Sequence, residues 1–67
     1  MTKKQEKIYN ILKEFISENG YAPTVREIMK IAKLNSPATI HEHLKRLEDK
    51  GYIKSDKGKS RTIRIVK

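Results

Sequence analysis

The side chains best suited to chemistry are crowded between residues 41 and 49: His41, Glu42, His43, Glu48 and Asp49. Two imidazoles and three carboxylates raise the questions of a metal site and of general acid–base catalysis. The spacing answers the first. His41 and His43 stand two apart, and on a helix they point about 200° away from each other, whereas helical ligand pairs use i, i+3 or i+4. The chain has no cysteine, so a thiolate zinc site and a disulfide framework are both excluded. The carboxylates share one helix with no pocket large enough to bury and tune them, so hydrolysis finds no support. They read as solvated or ligand-facing. No catalytic residue, no metal and no cofactor is expected.

The element that carries these groups is a helix with both ends marked. Ser36 is a preferred N-cap, Pro37 follows at the first helical position, and Gly51 sits just past the last turn, where a left-handed residue is wanted. Lys50 suits the C-terminal end of the helix dipole. Ile40, Leu44 and Leu47 define one apolar face. The opposite face carries Ala38, Thr39, Glu42 and Lys45, short or hydrogen-bonding side chains of the kind needed to approach base edges in a DNA groove. Taken alone, the helix reads as an ordinary amphipathic surface helix; its context favours the groove.

That context begins with charge. Sixteen Lys and Arg against eight Asp and Glu leave a net charge of +8 on 67 residues. Nucleic acid is the first partner such a field implies, and an anionic membrane surface the second. Hydrophobic and charged fractions are both 36%, which fits one small folded module with a modest core. No apolar run approaches a membrane span and no signal peptide is evident, so a cytoplasmic location is the default expectation.

Two further helices precede the capped one. Thr2 and Gln5 form a capping-box pattern, and Ile8, Ile11, Leu12, Phe15 and Ile16 follow at helical spacing with Tyr9 beside them, predicting a core helix from about Lys3 to Glu18, stopped by Asn19-Gly20. Pro23 disfavours a helical Ala22. Thr24 and Glu27 then make a second capping box, opening a shorter helix with Ile28, Ile31 and Ala32 toward the core and an end near Lys33. A turn of a few residues leads to Ser36-Pro37, the spacing of a helix-turn-helix. After Gly51 the period changes to two. Residues 52–55 and 61–66 read as strands joined by a turn at 56–59, with Ile53, Ile63 and Ile65 inward. The predicted fold is α+β and mostly helical: a three-helix winged helix-turn-helix with a C-terminal antiparallel hairpin as its wing, filling residues 1–67 as a single domain.

The run Pro23-Thr24-Val25-Arg26-Glu27-Ile28, then Ser36-Pro37, Glu42-His43-Leu44-Lys45 and Lys50-Gly51-Tyr52-Ile53, resembles the DNA-binding domain of the LexA repressors. The likeness runs from the first helix to the last strand. It implies a third helix in the major groove of a palindromic operator, repression of the SOS-response type, and a base-reading face at Ser36, Ala38, Thr39, His41 and Glu42. It also implies a second domain that dimerises and cleaves itself with a serine–lysine pair. The chain ends at Lys67, before any such domain, so no enzymatic activity is expected of it. Ala38 departs from the family's usual asparagine or serine, removing a donor and acceptor. Lys33 stands where the turn glycine is usual, at a cost of about 1 kcal/mol if that residue is left-handed. Met29 replaces a smaller residue between the second and third helices.

The remaining side chains divide by place. Glu42 is read either as an acceptor for a cytosine amino group or as the partner of Arg46 at i+4. His43, beside Leu44, is read as a partly buried packing residue; for His41 both a DNA contact and a solvated position stay open. Arg26 lies where it reaches a phosphate beside the N-terminus of the second helix. Lys45 and Arg46 flank the third helix, and Lys54, Lys57, Lys59 and Arg61 cluster on the wing, all as backbone contacts that set register without reading sequence. The expected partner is double-stranded DNA, bound by two copies of a chain that is monomeric when isolated. The alternative is a winged helix that meets a partner protein, against which the basic wing argues. RNA is disfavoured, because its deep narrow major groove does not admit a helix.

Overall fold

The computed structural model describes residues 2–56 and 61–67. Helices α1 (Lys3–Asn19), α2 (Val25–Ala32) and α3 (Pro37–Asp49) are followed by strands β1 (Ile53–Lys54) and β2 (Arg64–Ile65). Each helix starts where a side chain replaces the missing backbone partners. Thr2 accepts from the Gln5 N–H and Thr24 from the Glu27 N–H, and in both boxes the third residue reaches back to the cap. Ser36 accepts from the Thr39 N–H, with Pro37 behind it.

The helices end on left-handed residues. Gly51, at φ 80°, closes α3: its N–H donates to the Glu48 carbonyl, and the Tyr52 N–H donates to Leu47. These are the two bonds of a Schellman motif. Lys33 ends α2 at φ 58°, ψ 40°, with the Leu34 N–H donating to the Met29 carbonyl. A lysine there costs about 1 kcal/mol, which the turn into α3 must offset.

Ile8 and Leu12 from α1, Ile28 and Ala32 from α2, Ile40 and Leu47 from α3, and Ile53 from β1 form one buried cluster, with Tyr9 at its edge. Each Ile or Leu fully removed from water contributes roughly 1.5–3 kcal/mol. Met29 and Leu44 pack half-buried against this cluster. Ile31 departs from expectation: it is 49% exposed. Helix α2 has only eight residues, and its Ile28–Ala32 pair takes the core-facing line, leaving Ile31 off to one side.

The wing is shorter than its alternating pattern suggests. Pairing is antiparallel, Ile53 opposite Ile65 and Lys54 opposite Arg64, and goes no further among the described residues. Two local features stop it. Arg61 is left-handed, at φ 59°, which breaks an extended run. The Thr62 hydroxyl accepts from the Asp56 N–H at 3.0 Å, so a side chain takes the place of a ladder bond. Ile53 is buried and Ile63 and Ile65 are half-buried, as the alternation predicts. The end of the chain returns to the body: the Val66 and Lys67 N–H groups donate to the Tyr52 carbonyl, and the Tyr9 hydroxyl donates to the Lys67 carbonyl. Tyr9 and Tyr52 meet edge to face, with centroids 5.6 Å apart.

Candidate nucleic-acid interface

Helix α3 has one face fixed by burial. Ile40 and Leu47 have no exposure, so the residues half a turn away point outward. Ser36, Ala38, His41, Glu42, Lys45 and Arg46 are all exposed, and Thr39 is half-buried at the margin. Thr39 lends its N–H to the Ser36 hydroxyl at 3.4 Å, so two of the predicted reading residues also build the cap that starts the helix.

Glu42 and Arg46 form an ion pair at 3.1 Å, through Oε1. Their side chains are 63% and 58% exposed, so the pair contributes only about 0.3–0.5 kcal/mol to the helix. Its effect on the face is larger: a cation neighbours Glu42 and occupies one of its two carboxylate oxygens. His43 is half-buried beside Leu44, as predicted, and its Nδ1 is buried with no hydrogen-bond partner among the described residues. His41 is exposed on the outer face.

The other cations are placed around this face. Arg26 is exposed in the first turn of α2, and Lys54 is exposed on β1. Lys57 and Lys59 lie outside the described residues. Glu48 and Arg61 make tertiary contacts that their positions in the sequence do not announce. Glu48 is half-buried, and its Oε2 accepts from the Ser55 N–H at 3.0 Å and the Ser55 hydroxyl at 3.3 Å. It therefore holds the start of the wing against α3 instead of standing free in solvent. Arg61 is turned inward to the body: Nη1 lies 3.0 Å from the Glu27 carboxylate and donates to the Ala22 carbonyl at 3.2 Å, and the guanidinium sits 4.8 Å above the Tyr21 ring. The Thr24 N–H bond, followed by Arg61, holds the Glu27 carboxyl below its ordinary value. Neither tie is readable from sequence, because each joins residues brought together only by the fold.

A third cross-link sits at the C-terminal end of α3. Lys50 donates to Gln5 Oε1 at 3.2 Å, and the Gln5 side chain is buried at the start of α1. No helix among the described residues is long and apolar enough to cross a membrane, and none of their His, Asp and Glu side chains cluster to hold a metal ion.

Comparison with known proteins agrees with this architecture. The family model of the LexA DNA-binding domain matches residues 1–62. The chain belongs to that family. It is 53% identical over 66 residues to the LexA repressor of Caldicellulosiruptor saccharolyticus and 50% identical over 66 residues to that of Staphylococcus aureus strain USA300, covering 98% of this chain in both cases. It spans about a third of the length of these relatives, 33% and 32% respectively. What it matches is the DNA-binding module of LexA, which is non-catalytic. Two predicted departures from the LexA pattern take visible form: Ala38 leaves a bare methyl group on the outer face, and Lys33 adopts the left-handed turn without glycine.

Proposed function

We propose that residues 1–67 form a single domain that binds operator DNA sequence-specifically and represses transcription by occupying it, as the DNA-binding part of a LexA-type repressor. Helix α3 enters the major groove and the wing rests on the adjacent backbone. The observation that carries this reading is the outward face of α3, where small and hydrogen-bonding side chains are exposed opposite a fully buried Ile40–Leu47 line. Membership of the LexA DNA-binding family supports it, and so does the net charge of +8.

Roles follow from side-chain chemistry. Ser36, Thr39, His41 and Glu42 supply hydrogen-bonding groups for base edges, and the Ala38 methyl group suits contact with a thymine methyl. Glu42 accepts from a cytosine amino group while Arg46 offsets its repulsion from phosphate. Arg26, Lys45, Arg46, Lys54, Lys57 and Lys59 neutralise phosphates and set register. Two copies bind the half-sites of a palindrome in an SOS-type operator, each copy monomeric in the absence of DNA. The setting is the cytoplasm.

Fluorescence anisotropy with a labelled duplex, titrated from low to moderate salt, tests the reading. Neutralising about four to six phosphates gives a log–log slope of about −4 to −5. A flat salt response, or no binding at low salt, would instead favour a winged helix that contacts protein.

A further inference from the structure

Arg61 is counted among the wing cations by position, yet its geometry is that of a fastener. It is one of two non-glycine residues with positive φ among those described. A backbone in that region persists only where surrounding contacts over-determine it. Here three contacts converge on one side chain. Nη1 reaches both the Glu27 carboxylate and the Ala22 carbonyl, and the guanidinium plane covers Tyr21. A planar fork that donates and stacks at once is a property of arginine that lysine lacks. The acceptor is also significant. Glu27 Oε1, which Arg61 grips, accepts at the same time from the Thr24 N–H at 2.8 Å, so the wing is fastened to the N-terminal cap of α2. That helix leads through Lys33 into α3. On the other side, Glu48 of α3 holds Ser55 at the start of the wing. The two arms of the hairpin, on the loop side of their paired residues, are therefore tied to the two helices of the helix-turn-helix.

We propose that Arg61 is a positioning residue. It docks the returning arm of the wing on the cap of α2 and so fixes the angle between wing and α3, and its positive charge is spent on Glu27 instead of on phosphate. The proposal rests on the reading that the wing holds the DNA backbone.

Glu27→Gln separates the two roles. Glutamine at the third helical position keeps the capping box, so the change removes the ion pair and little else. If Arg61 positions the wing, Glu27→Gln weakens duplex binding by about threefold to tenfold, although a negative charge has been removed from a DNA-binding surface. Arg61→Ala weakens it by about tenfold, and the double variant is no weaker than Arg61→Ala alone, because both changes break one contact. Arg61→Lys behaves like Arg61→Ala, since charge without the fork does not dock. Amide hydrogen exchange of the unliganded chain, followed at Asp56 and Val66, quickens in all four variants while the amides of α1 are unchanged. If Arg61 instead contacts phosphate, Glu27→Gln frees it and binding holds or tightens, Arg61→Lys restores most of the affinity, and wing exchange is unaltered; that pattern overturns the proposal. Should the wild type bind no duplex, the reading of DNA binding falls. Exchange still decides the docking: unaltered wing amides overturn it, and quickened ones support it.

Discussion

The outward face of α3 is polar and exposed, the loop side of the wing is polar and partly buried, and the two are built in opposite ways. The α3 face is held only by the helix beneath it. Its one described ion pair, Glu42–Arg46, lies within that helix and is open to solvent. The loop side of the wing is held from outside itself, through Glu48 to Ser55 and through Arg61 to Glu27 and Ala22. The difference matches two tasks. On the proposed reading, the base-contacting groups of α3 take their precision from the rigid helix alone, with Ser36 also capping it and Glu42 paired to Arg46. A two-stranded hairpin is marginal on its own and takes its position from ties to the body.

The largest expected effect lies under the reading face. Leu47→Ala removes a side chain with no exposure and should cost about 2–5 kcal/mol, most of the stability of so small a domain, measured by urea unfolding. The half-buried Leu44 should cost less, because part of its surface already meets water. Next comes the wing. Glu48→Ala leaves the Ser55 N–H and hydroxyl without their carboxylate and should cost about 1–2 kcal/mol, with the loss seen first as faster exchange at Ser55. If Glu48→Ala were as neutral as a change on the outer face of α3, the contrast between the two regions would disappear.

A smaller effect follows from acid. The Glu27 carboxyl is held below its ordinary value of 4.5 by the Thr24 N–H and then by Arg61. A depressed carboxylate stabilises the fold above its unfolded pKa, and that contribution is lost as pH falls through the folded one. The wild type should therefore be more stable than Glu27→Gln near neutrality. The gap should narrow at an acid pH below the folded-state value, where the Glu27 carboxyl has taken up its proton and that contribution is lost. Urea midpoints of the two proteins at both pH values check it. A gap that widens in acid has the wrong sign.

How much of this could be read from the residues follows the same division. Caps are local, so Thr2–Gln5, Thr24–Glu27 and Ser36–Thr39 are legible; the left-handed Lys33 is signalled only through the resemblance, which puts a glycine at that turn. The exposed face of α3 follows from the phase of Ile40 and Leu47. Ile31 defeats the same reasoning, because an eight-residue helix presents several apolar residues and only neighbours decide which are covered. Glu48 and Arg61 look like free surface charges in a sequence. Their partners, Ser55 for one and Glu27 and Ala22 for the other, lie seven and 34 to 39 positions away and are reached only by folding. The alternation over 61–66 overstates β2 because nothing in a period of two reports a left-handed Arg61 or a Thr62 hydroxyl bound to Asp56.

The smallest change in stability carries the central claim about reading. Glu42→Ala should alter stability by no more than about 0.5 kcal/mol, since it removes an exposed i,i+4 pair. Its effect belongs in specificity. Selection of binding sites from a random duplex pool, run in parallel with wild type and Glu42→Ala, measures this directly. The account predicts that the variant loses discrimination at one base pair in each half-site, by about 1–3 kcal/mol, while its non-specific binding holds or rises. Recovery of the same site with the same base preferences by both proteins would contradict it, and Glu42 would then be a surface partner of Arg46 and nothing more.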